Sequence, residues 1–159
     1  ELDLSAANYN GGGQIVVAGM LSALGELQAE PPAGSRVIPL QVAGAFHTRF
    51  MQPAVSHMSQ IAQKIVPSDP ALKLWSNSDG HSMSNGSEFV ATLVSQISSP
   101  VRWDKTMESM LRAGVTTVIE LSPAGALSGL AKRAMPGVEI FSLKTPESLD
   151  ALAEVFVRG

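Results

Sequence analysis

From residue 44 onward the chain alternates between two apolar spacings, and this alternation constrains the fold more than any other feature. Apolar residues at three- and four-residue intervals predict a helix over residues 52–65. In chain order, the elements predicted after it are a strand over 71–75, helices over 88–97 and 103–114, a strand over 115–121, a helix opening at Ser122 or the following glycine, a strand over 138–143 and a helix over 146–157. Such alternation predicts an α/β fold with a largely parallel sheet.

The first 43 residues have a different pattern. The predicted elements are strands over 2–10 and 14–19 with turn glycines between them, a helix over 21–30 and a strand over 36–42. This β-β-α-β order is a ferredoxin-like β-α-β-β-α-β unit without its first strand and helix. We therefore expect a small subdomain over 1–43 and a larger one over 44–159. A chain that opens inside a strand also indicates a fragment.

Composition excludes several classes of function. The 11 basic residues are scattered and the formal net charge is −3, which argues against nucleic acid and anionic lipid as partners. There are no cysteines, so disulfides and thiolate metal sites are excluded. No apolar run approaches the roughly 20 residues that a membrane helix needs. The sequence predicts a cytoplasmic protein.

His47 is the strongest candidate for chemistry. It follows the apolar run VIPLQVAGAF, where a predicted strand gives way to a helix, and α/β proteins place catalytic groups at such strand ends. A lone histidine after an apolar run is, however, more often structural than catalytic. His57 is interpreted as a solvated helix residue and His81 as a loop residue. The three histidines show no ligand spacing, so no metal site is predicted.

The stretch GHSMS, residues 80–84, imitates the start of a nucleophile elbow. The elbow requires glycine two places after the serine, and that place is Ser84. Turn-forming dipeptides bracket the stretch, which predicts a loop, so Ser82 is not predicted to be a nucleophile. The glycines of NGGGQ lack the lysine of a phosphate-binding loop and are interpreted as a turn.

Four stretches together suggest a family: ANYNGGGQIVVAG, VAGAFHTRFMQPA, SQISSPVRWDKTM and GVTTVIELSPAGALSGLAKR. In this order they closely resemble the C-terminal half of malonyl-CoA:acyl carrier protein transacylases, with NGGGQ as the one departure. The resemblance implies a ferredoxin-like small subdomain inserted in an α/β-hydrolase-like acyltransferase subdomain, of which 44–159 would be the C-terminal part. It also implies that the family's G-H-S-x-G serine and substrate-binding arginine lie in an N-terminal half, outside this chain.

The resemblance assigns roles to individual residues. It makes His47 the base of a serine-histidine dyad and makes the backbone carbonyl of Gln96 the group that orients it. Phe46 becomes a pocket residue that selects malonyl over methylmalonyl, with a core residue as the alternative. Asn8, Asn10 and Asn77 become polar pocket residues, although capping of turns and strand ends explains each equally well.

The implied reaction moves malonyl from coenzyme A to a serine and then to the phosphopantetheine thiol of acyl carrier protein, in fatty acid biosynthesis. It needs no cofactor. The expected partners are malonyl-CoA, acyl carrier protein and the N-terminal half of the same enzyme, without which the chain is expected to be inactive. Two alternatives stay open, an acyltransferase module of a polyketide synthase and a non-catalytic fragment that binds the carrier protein.

Overall fold

The computed structural model describes the backbone of residues 2–157 and the side chains of residues 2–150, 152 and 153. These residues fall in two compact units, Glu1–Thr106 and Met107–Gly159. The elements are β1 (Leu4–Gly11), β2 (Gln14–Gly19), α1 (Leu21–Ala29), a 3₁₀ helix (Arg49–Met51), α2 (Gln52–Ala62), β3 (Leu74–Trp75), β4 (Ser82–Met83), α3 (Gly86–Gln96), β5 (Val101–Arg102), α4 (Trp103–Arg112), β6 (Thr117–Glu120), α5 (Ala126–Ala134), β7 (Glu139–Ser142) and α6 (Ser148–Val157). The fold class is therefore mixed α/β.

The strands form three small sheets within the described residues, and this corrects the expectation of a largely parallel sheet. In the first unit, β1 pairs with β2 antiparallel and with β5 parallel, while β3 and β4 form a separate antiparallel pair. In the second unit, β6 and β7 pair in parallel on either side of α5 in the chain. Of the four described strand pairs, two are therefore parallel and two are antiparallel. Strands β3 and β4 are close together in the chain and pair with each other as an antiparallel hairpin.

The hairpin of β1 and β2 is confirmed where the sequence predicts it. Gly11 pairs with Gln14, so Gly12 and Gly13 form a two-residue loop between the strands. Both have positive φ, 59° and 79°, which is the signature of a type I′ turn and is accessible to glycine at little cost. The glycines of NGGGQ therefore serve the turn. The register shifts twice along the pair, between Ala6 and Asn8 and again between Tyr9 and Gly11.

The strand predicted over 36–42 is wrong for the described part of the chain, where this segment is irregular. Its apolar residues alternate as in a strand, yet Ile38, Leu40 and Val42 are 60%, 56% and 69% exposed. Pro39 has no amide hydrogen to donate to a ladder, and the amide of Val42 bonds locally to the carbonyl of Leu40. A strand requires a partner strand, and the described residues offer none here. The ferredoxin-like unit and its boundary at residue 43 stay predictions.

The helices agree with the apolar periodicity, with differences at their ends. Asn85 caps α3, because its side-chain oxygen accepts a hydrogen bond from the amide of Glu88 at 2.9 Å. Helix α4 begins at Trp103, as predicted, and carries Asp104 in its first turn. Helix α5 begins after Gly125, which agrees with the second of its two predicted openings. None of the described helices has the length and apolar character needed to span a membrane.

Gly80 allows the hairpin of β3 and β4 to pack closely against the start of α4. A Cβ at this position would lie 2.4 Å from the backbone carbon of Lys105, and Gly80 has a φ of 79°. Both the contact and the dihedral angle exclude larger residues. From the other side, the buried hydroxyl of Thr106 reaches the carbonyls of Ser76 and Arg102. The hairpin, β5 and α4 are therefore held together by close backbone packing.

In the second unit, the carboxylate of Glu120 anchors the start of α5. It accepts hydrogen bonds from the Ser128 hydroxyl and from the amides of Ser128, Gly125 and Leu127, at 2.5 to 3.0 Å. These bonds, that of the Ser128 hydroxyl foremost, lower the pKa of Glu120 from 4.5 to about 2. The charged carboxylate therefore satisfies amides that the helix itself leaves without partners.

This anchor predicts a pH-dependent stability. Because the pKa of Glu120 is lowered on folding, its contribution is complete above about pH 4.5 and is lost as the pH falls through about 2. Glu120→Gln should lower the urea midpoint of the chain at pH 7, and this deficit should shrink steadily between pH 5 and pH 2. The control Glu139→Gln removes the same charge from an exposed position on β7 and should leave the midpoint nearly unchanged. An equal deficit for Glu120→Gln at pH 7 and pH 2 would contradict the prediction.

Candidate active site

A tight turn over residues 44–48 presents His47. The hydroxyl of Thr48, a buried residue, donates to the carbonyl of Ala45 at 2.6 Å and accepts from the amide of Phe50 at 3.3 Å. Thr48 therefore closes the turn and also caps the 3₁₀ helix that follows. His47 itself has a φ of 62°, in the left-handed region that costs a non-glycine residue about 1 kcal/mol or more. Among the described residues other than glycine, only His47 has a positive φ.

Two hydrogen bonds join His47 to the C-terminal end of α3. Its ring nitrogen Nδ1 lies 2.8 Å from the carbonyl oxygen of Gln96, and its backbone amide donates to the carbonyl of Ile97 at 3.1 Å. The last carbonyls of a helix lack partners within the helix, so His47 satisfies two of them from a distant part of the chain.

The bond to Gln96 determines which ring nitrogen can act as a base. A carbonyl oxygen only accepts, so Nδ1 must carry the hydrogen, and in neutral imidazole the lone pair is then on Nε2. No hydrogen bond engages Nε2 within residues 2–157. The arrangement therefore orients a histidine with one nitrogen held and the other available, as general base catalysis requires.

Strand β5 brings two of the predicted asparagines together. Asn8 pairs with Val101 in β5, and the carbonyl of Asn77 accepts the amide of Arg102 at 2.6 Å. Only four residues separate Gln96 from Val101, so the partners of His47 and of the asparagines lie on one short stretch of chain. Asn10 lies at the far end of β1, where the register shifts. All three asparagines are half-buried, which fits both a pocket role and capping.

Arg102 holds β5 against β1 with its side chain. Its guanidinium lies 4.8 Å from the ring centroid of Tyr9 and makes two bonds to the carboxylate of Asp104, at 3.0 and 2.8 Å. The bond from Arg102 is the main reason that the pKa of Asp104 is lowered. The contact of Arg102 with Tyr9 stabilises the pairing of β5 with β1, the strand that carries Asn8. The sequence analysis missed it, because no local pattern relates Tyr9 to Arg102.

Phe46 directly precedes the histidine and is 50% exposed. The nearest ring atom would lie 3.5 Å from a Cβ built on Gly44, so the ring packs over that glycine in the same turn. In this chain Phe46 is therefore not a fully buried core residue.

The GHSMS stretch does not form a nucleophile elbow. Ser82 and Met83 form β4, an antiparallel partner of β3, where a loop was predicted. Ser82 has no positive φ, and the neighbouring contact of His81 Nδ1 with the Asp79 carboxylate, at 3.2 Å, is exposed to solvent. The elbow depends on a strained turn between a strand and a helix, which Ser82 does not occupy.

Metal binding finds no support in the part of the chain that the structure describes. No group of three or more histidine, aspartate or glutamate side chains is arranged to hold an ion there.

Comparison with known proteins identifies relatives of the whole chain. A malonyl CoA-acyl carrier protein transacylase of Mycobacterium tuberculosis is 46% identical over 155 residues, which is 98% of this chain and 51% of that protein. The transacylase of the same name from Escherichia coli is 31% identical over 154 residues, which is 96% of this chain and 50% of that protein. The chain is related to malonyl CoA-acyl carrier protein transacylases. No protein-family model matches it.

The solved structures of these transacylases agree with the sequence relationship. The crystal structure of MCAT from Mycobacterium tuberculosis matches with a TM-score of 0.90 and 47% identity, covering 96% of this chain and 50% of that one. The transacylase from Clostridium perfringens matches with a TM-score of 0.89 and 31% identity, covering 98% of this chain and 49% of that one. The chain thus spans about half the length of the transacylases that it matches.

Proposed function

We infer that the chain supplies the histidine base of a malonyl-CoA:acyl carrier protein transacylase whose serine lies in a preceding half. The observation that carries this inference is the contact of His47 Nδ1 with the Gln96 carbonyl, at 2.8 Å, which leaves Nε2 as the basic nitrogen. The reaction itself is inferred from the names of the relatives and from the four sequence motifs. We use "full-length polypeptide" for this chain preceded by that N-terminal half.

The proposed reaction has two matching steps. Nε2 of His47 takes the proton of the serine hydroxyl, and the oxygen attacks the thioester carbon of malonyl-CoA. The bond from that carbon to sulfur breaks, and the coenzyme A thiolate leaves with the proton returned by Nε2. The phosphopantetheine thiol of acyl carrier protein then gives its proton to Nε2, and its sulfur attacks the carbonyl carbon of the malonyl-serine ester. The bond from that carbon to the serine oxygen breaks, and the oxygen takes the proton back from Nε2. No proton is consumed overall and no cofactor is needed.

A carbonyl as the orienting group suits this exchange. In Ser-His-Asp hydrolases a carboxylate orients the histidine and stabilises the imidazolium. The Gln96 carbonyl lies at the C-terminal end of α3 and carries no net charge. It can fix the tautomer by accepting the hydrogen of Nδ1.

Exposed apolar residues support an N-terminal half as the partner of this chain. Leu21, Val66 and Leu72 are more than four-fifths exposed. Leu40 and Val42, in the irregular segment that leads to His47, are more than half exposed as well. Large exposed apolar surfaces mark interaction sites on soluble proteins. We propose that the N-terminal half covers this surface and supplies a strand that pairs with residues 36–42.

The test is covalent labelling with radioactive malonyl-CoA. The chain alone should gain no label, because it lacks the nucleophile. Mixed with the separately prepared N-terminal half, it should yield labelled protein, and added acyl carrier protein bearing phosphopantetheine should remove the label. A Ser82→Ala chain should behave identically in the mixture. Label on the chain alone that Ser82→Ala abolishes would overturn the proposal.

A further inference from the structure

Gln96 contributes to the site with its side chain as well as its backbone. The residue is only 5% exposed, and its amide nitrogen Nε2 donates to the carbonyls of Ser99 and Pro100 at 2.7 and 2.9 Å. Both neighbours are carbonyl oxygens, so only the nitrogen end of the amide can face them. The side chain therefore bends back over the four residues that follow α3.

The other end of the same amide has no partner. Gln96 Oε1 is buried without a hydrogen bond in the described structure. A buried acceptor without a hydrogen bond destabilises the fold. An apolar side chain of similar size, such as methionine, would avoid this cost. The two hydrogen bonds that the glutamine Nε2 donates offset this cost.

These bonds fix the peptide group that His47 contacts. The Gln96 carbonyl oxygen receives His47 Nδ1 and also the amide of Ser99, at 3.3 Å. The orientation of this carbonyl depends on the backbone conformation of residues 96–100. The Gln96 side chain stabilises that conformation by donating hydrogen bonds to the carbonyls of Ser99 and Pro100. Without the two bonds, the end of α3 can relax and the carbonyl can turn away from the imidazole.

We propose that the Gln96 side chain is a positioning residue, which holds its own carbonyl against His47 Nδ1 and so keeps the basic lone pair on Nε2. This rests on the proposed function only in taking His47 as the base. The orientation of the ring is a property of the chain itself, so it can be measured without any catalysis.

The experiment measures the tautomer of neutral His47 from its ring ¹⁵N chemical shifts in the 159-residue chain, at a pH where the ring is neutral. The wild-type chain should hold mainly the Nδ1–H tautomer. Gln96→Met and Gln96→Glu both remove the two donors, the first with an apolar and the second with an acidic side chain. Because an imidazole without a fixed partner prefers the Nε2–H tautomer, the ratio of Nε2–H to Nδ1–H should rise roughly two- to tenfold, as for the loss of one hydrogen bond.

Thr106→Val is the matched control. It removes a different buried donor to two backbone carbonyls, those of Ser76 and Arg102, and no hydrogen bond joins it to His47. It should lower stability without changing the tautomer ratio. An unchanged ratio in a folded Gln96 variant would overturn the proposal, and so would an equal change in Thr106→Val, because the ratio would then only follow stability.

Kinetics of the full-length polypeptide give a second readout. If the side chain positions the base, Gln96→Met should lower kcat for malonyl transfer while KM for malonyl-CoA stays near the wild-type value. Normal transfer by a His47→Ala variant would disprove the proposed function and leave the tautomer result standing. A fixed tautomer ratio would disprove the positioning role and leave the proposed function standing. The two failures are therefore distinguishable.

Discussion

In the full-length polypeptide, His47→Ala is expected to lower kcat/KM for malonyl transfer by about a hundredfold or more, as the loss of a general base does. The reason is that the serine hydroxyl is a poor nucleophile until a neighbouring group takes its proton. The measurement is the rate of malonyl transfer to acyl carrier protein, with circular dichroism and thermal unfolding to establish that the variant is folded.

The backbone at His47 requires a second variant. Its φ of 62° is less accessible to alanine than to histidine, so a loss of activity in His47→Ala could come from a changed turn. His47→Gly accepts this dihedral angle and keeps the amide that bonds to the Ile97 carbonyl. Both variants should lose transfer to a similar degree, while His57→Ala, on the exposed face of α2, should retain it. Near-normal transfer by either folded His47 variant would refute the assignment of the base.

The sequence predicts most helices correctly because their signals are local. The apolar spacing of α2 and α3 lies within each helix, and the stop at Gly114 is a property of that residue, with a φ of 79°. The strand expected over 36–42 failed for the opposite reason. Ile38, Leu40 and Val42 alternate as in a strand, but pairing depends on a partner strand that local patterns do not show.

Some parts of the candidate site could be predicted from the sequence and others could not. The place of His47 between an apolar run and a helix was visible in the sequence, and the resemblance pointed to the Gln96 carbonyl. No pattern of residue types could place that carbonyl against the ring, because a carbonyl belongs to every residue and the two are 49 positions apart. The Gln96 side chain was missed too, since its bonds to Ser99 and Pro100 depend on how the chain turns after α3.

Phe46→Ser in the full-length polypeptide is expected to raise methylmalonyl transfer relative to malonyl transfer. The proposed reason is steric: Phe46 directly precedes the base in the chain and is half exposed, so its ring would occupy the volume that an α-methyl group needs. Space for one methyl group is typically worth about 1 to 3 kcal/mol, or roughly 10- to 200-fold in selectivity. The ratio of the two kcat/KM values, measured with malonyl-CoA and methylmalonyl-CoA, is the readout.

Phe50→Ser separates this role from packing. Phe50 belongs to the 3₁₀ helix after His47 and packs under the guanidinium of Arg49, 4.8 Å from the ring centroid. Removing either ring deletes a partly exposed aromatic side chain near the turn, so both variants should unfold at lower temperature than the wild type. Only Phe46→Ser should change the ratio of the two rates. If Phe46→Ser is folded and the ratio equals that of Phe50→Ser, the ring contributes packing alone and selectivity lies with residues of the N-terminal half.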